Sequence, residues 1–118
     1  MAFKRSKYGV SAKKDRTLNG TTYMSKLEMQ YRQKLNLLQR AKNIEDRVVS
    51  IEEQVPYKID INGKHICTYL LDFKVEYGDG RVELVDVKGI ATDMYKIKKK
   101  MVEAYYGVKI KEVKKGEF

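Results

Sequence analysis

The chain has little of what most active sites and structural staples are made from. Cys67 is its only cysteine, which excludes an internal disulfide and fits a reducing compartment. Next to apolar Ile66, that thiol reads as a core residue rather than a nucleophile. His65 is the only histidine, so a zinc site of the usual Cys/His kind cannot be assembled. A Ser-His-Asp triad would have to use His65, and no nucleophile-elbow motif accompanies it. No apolar run is long enough to span a bilayer, and the basic N-terminus lacks the apolar centre of a signal peptide. These absences lead to the expectation of a cytoplasmic protein with no membrane partner. Acidic residues are also scarce: 16 against 25 basic ones, a net charge of +9. Such a balance favours a polyanionic partner, and nucleic acid is the commonest.

A length of 118 residues points to one domain able to bury a core unaided. Residues 1–22 read as a basic arm with a small ribbon around the turn Asn19-Gly20, and residues 23–118 as the domain proper. Lys13, Lys14 and Arg16 of the arm are candidate phosphate contacts. A first helix is expected over residues 25–42, with Ser25 and Glu28 at capping-box spacing. Its apolar stripe is Met24, Leu27, Tyr31, Leu35 and Leu38, and Glu28 falls inside that stripe. A carboxylate on a core-facing stripe needs a reason, because unpaired burial is costly. Either it serves the cap, or it points into a site at the edge of the core.

Strands are expected over residues 48–55, 57–61 and 64–69, with Pro56 marking an edge, bend or end and Asn62-Gly63 a second turn. Residues 69–89 form a further hairpin around Gly78-Asp79-Gly80. Counting outward from Asp79 sets Phe73 against Val85 and Asp72 against Asp86. Directly opposed residues of an antiparallel pair have Cβ atoms about 5 Å apart, where like charges are unfavourable. Two carboxylates there imply a cation between them. Lys88 shares the face of Asp86, because the strand period is two. Asp86 interrupts a strand that otherwise reads as buried on both faces (Val82, Leu84, Val85, Val87). A second helix is expected over residues 93–106, capped by Thr92 and stopped by Gly107, with Met94, Ile97, Met101 and Tyr105 as its apolar stripe. Lys98 lies within that stripe, and Lys96, Lys99 and Lys100 on the outer faces. Residues 108–113 read as a last strand.

An acid pair with an adjacent lysine suits metal-assisted phosphodiester hydrolysis. Mg²⁺, with Mn²⁺ as substitute, would be held by Asp72 and Asp86, helped by the backbone carbonyl of Val87, with Glu28 completing the shell directly or through water. Lys88 could orient or deprotonate the attacking water. The competing reading is a surface salt bridge from Lys88 to either aspartate, contributing little.

Taken together, Glu28, Asp72 and Asp86-Val87-Lys88 resemble the motif of the PD-(D/E)XK nuclease superfamily: a helix Glu, a strand Asp, then (D/E)-x-K on the next strand. Leu71 stands where that motif often has proline. More closely, the chain resembles small phage-encoded nucleases of this superfamily that are suspected Holliday junction resolvases. The matching blocks are NGTTYMSKLE ending at Glu28, Leu71-Asp72-Phe73, VDVKG ending at Gly89, and YKIKKK ending at Lys100. The resemblance implies a mixed α/β fold with an α-β-β-β-α-β core. It implies a magnesium-dependent endodeoxyribonuclease leaving a 5′-phosphate and a 3′-hydroxyl, acting on four-way or other branched DNA in recombination or replication. It also implies a phage or prophage origin. The two-fold symmetry of a junction implies a homodimer. Lys96, Lys98, Lys99 and Lys100, with the arm, are the candidate DNA-backbone contacts. Rival readings are a flap, mismatch or nicking endonuclease of the same kind, a basic nucleic-acid-binding module without activity, and a small structural phage protein.

Overall fold

Turn residues with left-handed backbone fold this chain into hairpins. The computed structural model describes residues 11–89 and 91–118. Residues 1–10 of the expected arm lie outside that set. Lys13–Arg16 form one 3₁₀ turn rather than an extended arm, and the two-residue strands β1 (Thr17–Leu18) and β2 (Thr21–Thr22) make the expected ribbon. Asn19 and Gly20 at its tip have φ of +50° and +84°, the conformation that Asn-Gly turns accept.

Helix α1 covers Lys26–Leu38, shorter at its C-terminal end than expected. Ser25 caps it by accepting the Glu28 N–H at 3.1 Å. Tyr31 and Leu35 are buried as the stripe requires, and Leu27 and Leu38 pack at its margin. Met24 is instead 73% exposed, and Met29 takes the buried position.

Two long strands follow, β3 (Val48–Ile61) and β4 (Lys64–Tyr77), joined by Asn62-Gly63. Pro56 does not break β3. It sits on an edge strand, where proline is tolerated. Strand β5 (Val82–Val87) returns from the Gly78–Gly80 turn, and β6 (Ile110–Val113) closes the sheet. The strand order is β3-β4-β5-β6, antiparallel except for the parallel pair β5-β6. That parallel pair needs a crossover, which helix α2 (Asp93–Tyr106) supplies. Thr92 caps α2 by accepting the Tyr95 N–H at 3.2 Å, and Gly107 ends it at φ +66°. The described chain is thus mixed α/β, with two helices and a mixed four-stranded sheet.

Of the expected apolar face of α2, only Met101 packs against the core. Met94, Ile97 and Tyr105 are 62%, 55% and 57% exposed, whereas Tyr95 and Val102 are buried. The helix is rotated by about one residue, roughly 100°, so the lysine-bearing side turns partly inward. Lys98 and Lys99 are half-buried, and Lys99 pairs with Glu112 of β6 at 3.2 Å. One apolar cluster lies under each helix. Phe73, Val75, Tyr77, Val85 and Val87 join the α1 residues, while Tyr69, Leu71 and Leu84 join those of α2. Along β4 the change of cluster falls at Asp72. Other local readings shift as well: Val82 is 49% exposed, and Cys67 is only partly buried. Among the described residues no helix is long and apolar enough to cross a membrane.

Candidate active site

The hairpin register places the two aspartates face to face. Phe73 pairs with Val85, as counting from Asp79 predicts, and the regular ladder stops there. Side chains take over one step further on. Asp86 Oδ1 accepts the Asp72 N–H at 3.1 Å, and Asp72 Oδ2 accepts the Val87 N–H at 2.9 Å. Each carboxylate therefore fills a ladder position on the opposite strand, which offsets part of the repulsion between them. Both are buried, Asp86 completely. Asp86 Oδ2 has no hydrogen-bond partner among the described residues. A buried carboxylate oxygen without a partner is an unmet demand for a proton or a cation.

Burial raises the affinity of both aspartates for protons above the ordinary carboxylate range. Backbone N–H donors and Lys88 act the other way on each. Lys99 also lowers Asp86, and Glu112 raises it. Glu28 is pushed up to about 7, first by burial and then by the charge of Asp72. Three buried acids that resist ionisation together are a feature of sites built to receive positive charge.

Glu28 is 4% exposed, and its carboxylate does not bond back to the cap. Oε1 accepts from Gln54 Nε2 at 3.0 Å. The Glu28 N–H serves the Ser25 cap, while its carboxylate turns to Gln54 of the sheet and does not close the expected capping box. A cleft of about 250 Å³ opens beside it, lined by Thr22, Tyr23, Met24, Glu28, Glu53 and Gln54. A larger cleft of about 510 Å³ lies further off, by Arg32 and Arg40, and does not include the aspartates.

Lys88 follows the β5 strand, with its N–H on the Val113 carbonyl at 2.9 Å. Its Nζ stands 4.4 Å from the centroid of the Tyr95 ring. The Tyr95 hydroxyl donates to Glu112 Oε1 at 3.0 Å, which fixes the ring beneath the ammonium. Lys88 makes no ion pair with Asp72 or Asp86 among the described residues, so the surface salt bridge is not what holds it.

Gln54 is the site residue that sequence reasoning missed. It sits between the paired positions Glu53↔Phe73 and Val55↔Leu71, and so opposite Asp72. Its φ is +52°, left-handed in the middle of a strand. Counting outward from Asn62-Gly63 would have set Gln54 against Leu71. The register shift between Ile59 and Asp60 moves it to Asp72. No signal in the sequence marked that bulge.

The metal expectation can be tested on the donors present. Among the described residues no three Asp, Glu, His or Cys side chains converge as a metal-holding group. Zinc-type cages need such convergence. Mg²⁺ does not, since it binds through one or two carboxylates and keeps several waters. The buried oxygen donors Asp72 and Asp86, one of them with an unpartnered oxygen, fit such an ion. Glu28, engaged with Gln54, fits a role through water rather than a third direct ligand.

The remaining candidates are dispersed. Lys96, Lys100, Lys13 and Lys14 are exposed, while Arg16 is spent internally on the carbonyls of Ser11, at 3.0 Å, and Tyr23. A family model described as a protein of unknown function, DUF1064, matches residues 5–116. The chain belongs to that family. The family match therefore spans the helix glutamate, the two aspartates, the lysine and Gln54 in one unit. No curated protein and no solved structure matches the chain.

Proposed function

We propose that this DUF1064 chain is a metal-dependent endodeoxyribonuclease of the PD-(D/E)XK kind, acting on branched DNA as a homodimer, with a four-way junction as substrate. The observation that carries the reading is the buried Asp72–Asp86 pair, with an unpartnered oxygen on Asp86 and Lys88 two residues further along the chain. Asp72 and Asp86 would hold the ion, with the Val87 carbonyl beside them and Glu28 reaching it through water. When bound, such an ion supplies Lewis-acid polarisation of the phosphodiester and a water activated for attack. Lys88, held over Tyr95, orients the attacking water and, as an ammonium, balances the charge that develops on the phosphate. The arrangement needs no covalent intermediate, in keeping with a chain that has one cysteine and one histidine. A net charge of +9 supplies affinity for the phosphate backbone without base readout. Junction specificity and dimerisation rest on the resemblance of the motifs.

A second reading is favoured by one observation, the lack of a converged group of three ligands among the described residues. It is a basic nucleic-acid-binding module without activity. The deciding experiment incubates a synthetic four-way junction and matched duplex, single-strand and flap DNAs with wild type and Asp86→Asn, in Mg²⁺ or EDTA. Paired nicks in the junction alone, lost in EDTA and in the variant, are the expected result. Cutting of every substrate would retain the nuclease and discard junction specificity. Binding without cutting under Mg²⁺ and Mn²⁺ would establish the non-catalytic module.

A further inference from the structure

An extended strand is an unusual place for a left-handed glutamine. Non-glycine residues with positive φ are uncommon, and asparagine and aspartate are the usual exceptions. The two other such residues among those described, Asn19 and Asn62, stand in hairpin turns next to glycines. Gln54 stands in mid-strand at φ +52°. Backbone in sparsely populated regions persists where the surroundings over-determine it, and it clusters at functional sites.

The consequence of that backbone is where the side chain goes. Gln54 Nε2 donates to Glu28 Oε1 at 3.0 Å, and Gln54 stands opposite Asp72 in the strand register, where its amide holds down that carboxylate's affinity for a proton. Glu28 comes from α1 and Asp72 from β4, so the amide ties a helix to the sheet across the site. A primary amide has two N–H donors and carries no charge. It can therefore hold two carboxylates at once without competing for a cation. A lysine there would supply the same donors but neutralise the site, and a glutamate would add a third negative charge.

We propose that Gln54 is a positioning residue that sets Glu28 and Asp72 relative to one another and thereby shapes the cation site. The proposal rests on the nuclease reading above for the meaning of that site, but the bridge itself is independent of activity. Outer partners of metal ligands typically matter by 10- to 100-fold in metal affinity.

The test uses the full chain and three variants. Gln54→Gly keeps the left-handed backbone without strain and removes the amide. Gln54→Asn keeps an amide and tolerates this φ, but is one carbon too short to span both acids. Gln54→Glu keeps the length and inverts the donors. Mn²⁺ affinity, measured on the protein alone by calorimetry, is expected to fall about 10-fold or more for Gly and Asn. It should fall further for Glu, with the fold retained in all three. In the metal-free protein, urea midpoints of Gln54→Gly, Glu28→Gln and the double variant are expected to be non-additive. Wild-type Mn²⁺ affinity in Gln54→Gly, or additive midpoints, would overturn the positioning role. If wild type itself binds no Mn²⁺ or Mg²⁺, the nuclease reading fails. Non-additive midpoints would then leave Gln54 a purely structural bridge, and the positioning role would fall with the cation site.

Discussion

Asp72 and Asp86 hold one another through the backbone of a hairpin that has stopped pairing regularly. The Asp72 N–H donates to Asp86 Oδ1 at 3.1 Å, and the reciprocal donor to Asp72 Oδ2, at 2.9 Å, is the N–H of Val87. Two like charges are thereby fixed side by side in a buried position, an arrangement that is costly unless a further positive partner arrives. Toward one another, the two carboxylates are oriented by main-chain N–H groups.

Replacing Asp86 by asparagine should separate stability from activity. Asparagine keeps an acceptor for the Asp72 N–H and removes a desolvated charge whose protonation burial already favours. In EDTA, Asp86→Asn is expected to melt no lower than wild type. Its Mg²⁺-dependent cleavage should fall at least 10²-fold, and its thermal stabilisation by Mg²⁺ should vanish, since a ligand stabilises only the state that binds it. Differential scanning fluorimetry with and without the ion reads both. Wild-type stabilisation by Mg²⁺ in the variant would remove Asp86 from the site.

Lys88 lies over the ring of Tyr95, 4.4 Å from its centroid. Lys88→Ala is expected to lose about 10²-fold or more in the cleavage rate, the usual scale for removing a preorganised charge-stabilising group, while junction affinity stays within a few-fold. Tyr95→Phe keeps the ring but breaks the bond to Glu112, and should lower the rate far less. Single-turnover kinetics on the junction distinguishes these cases. Cleavage at the wild-type rate by Lys88→Ala would refute its role.

The parts of the site that a sequence displays are those set by short-range rules. The Gly78–Gly80 turn and the period of two fixed Phe73 against Val85, and hence the two aspartates, within one hairpin. The Thr92 cap and Gly107 fixed α2 in the same way. What failed depended on comparisons across the fold. Met94 and Tyr95 are adjacent, and apolarity alone could not decide which faces the sheet. The answer comes from β6, where Glu112 receives both the Tyr95 hydroxyl and Lys99. Gln54 was invisible for a related reason. One extra residue in β4 near Ile59 shifts the β3 register, and only that shift sets Gln54 against Asp72.

Salt should act strongly on DNA binding. The exposed Lys96, Lys100, Lys13 and Lys14 are the proposed phosphate contacts, whereas Lys99 is committed to Glu112. With about six to ten phosphate contacts per complex, affinity is expected to fall roughly 10³- to 10⁵-fold between about 50 and 200 mM salt. Lys96→Ala and Lys100→Ala should each reduce the slope of log K against log salt by about one. Lys99→Ala should instead lower the melting temperature. Fluorescence anisotropy across a salt series measures the slopes, and a flat response in wild type would exclude a phosphate-binding surface.

The pH dependence of stability offers a test that needs no substrate. Glu28 is pushed up from the ordinary carboxylate range to about 7, by burial first and the charge of Asp72 second. The folded protein therefore keeps a proton that the unfolded chain has already released. A group raised in this way contributes stability that is fully present below its unfolded value and is lost as pH rises through the folded one. Asp72 and Asp86 are displaced in the same direction by burial and reinforce the trend. In EDTA, the urea midpoint of wild type is expected to fall steadily between about pH 5 and pH 8. Glu28→Gln, which cannot ionise and still accepts from Gln54, should flatten the upper part of that curve. Added Mg²⁺ should flatten it in wild type as well, because a bound cation favours the ionised acids that the empty site resists. A Glu28→Gln curve with the wild-type slope would show that this carboxylate is not the buried, proton-retaining group its surroundings make it.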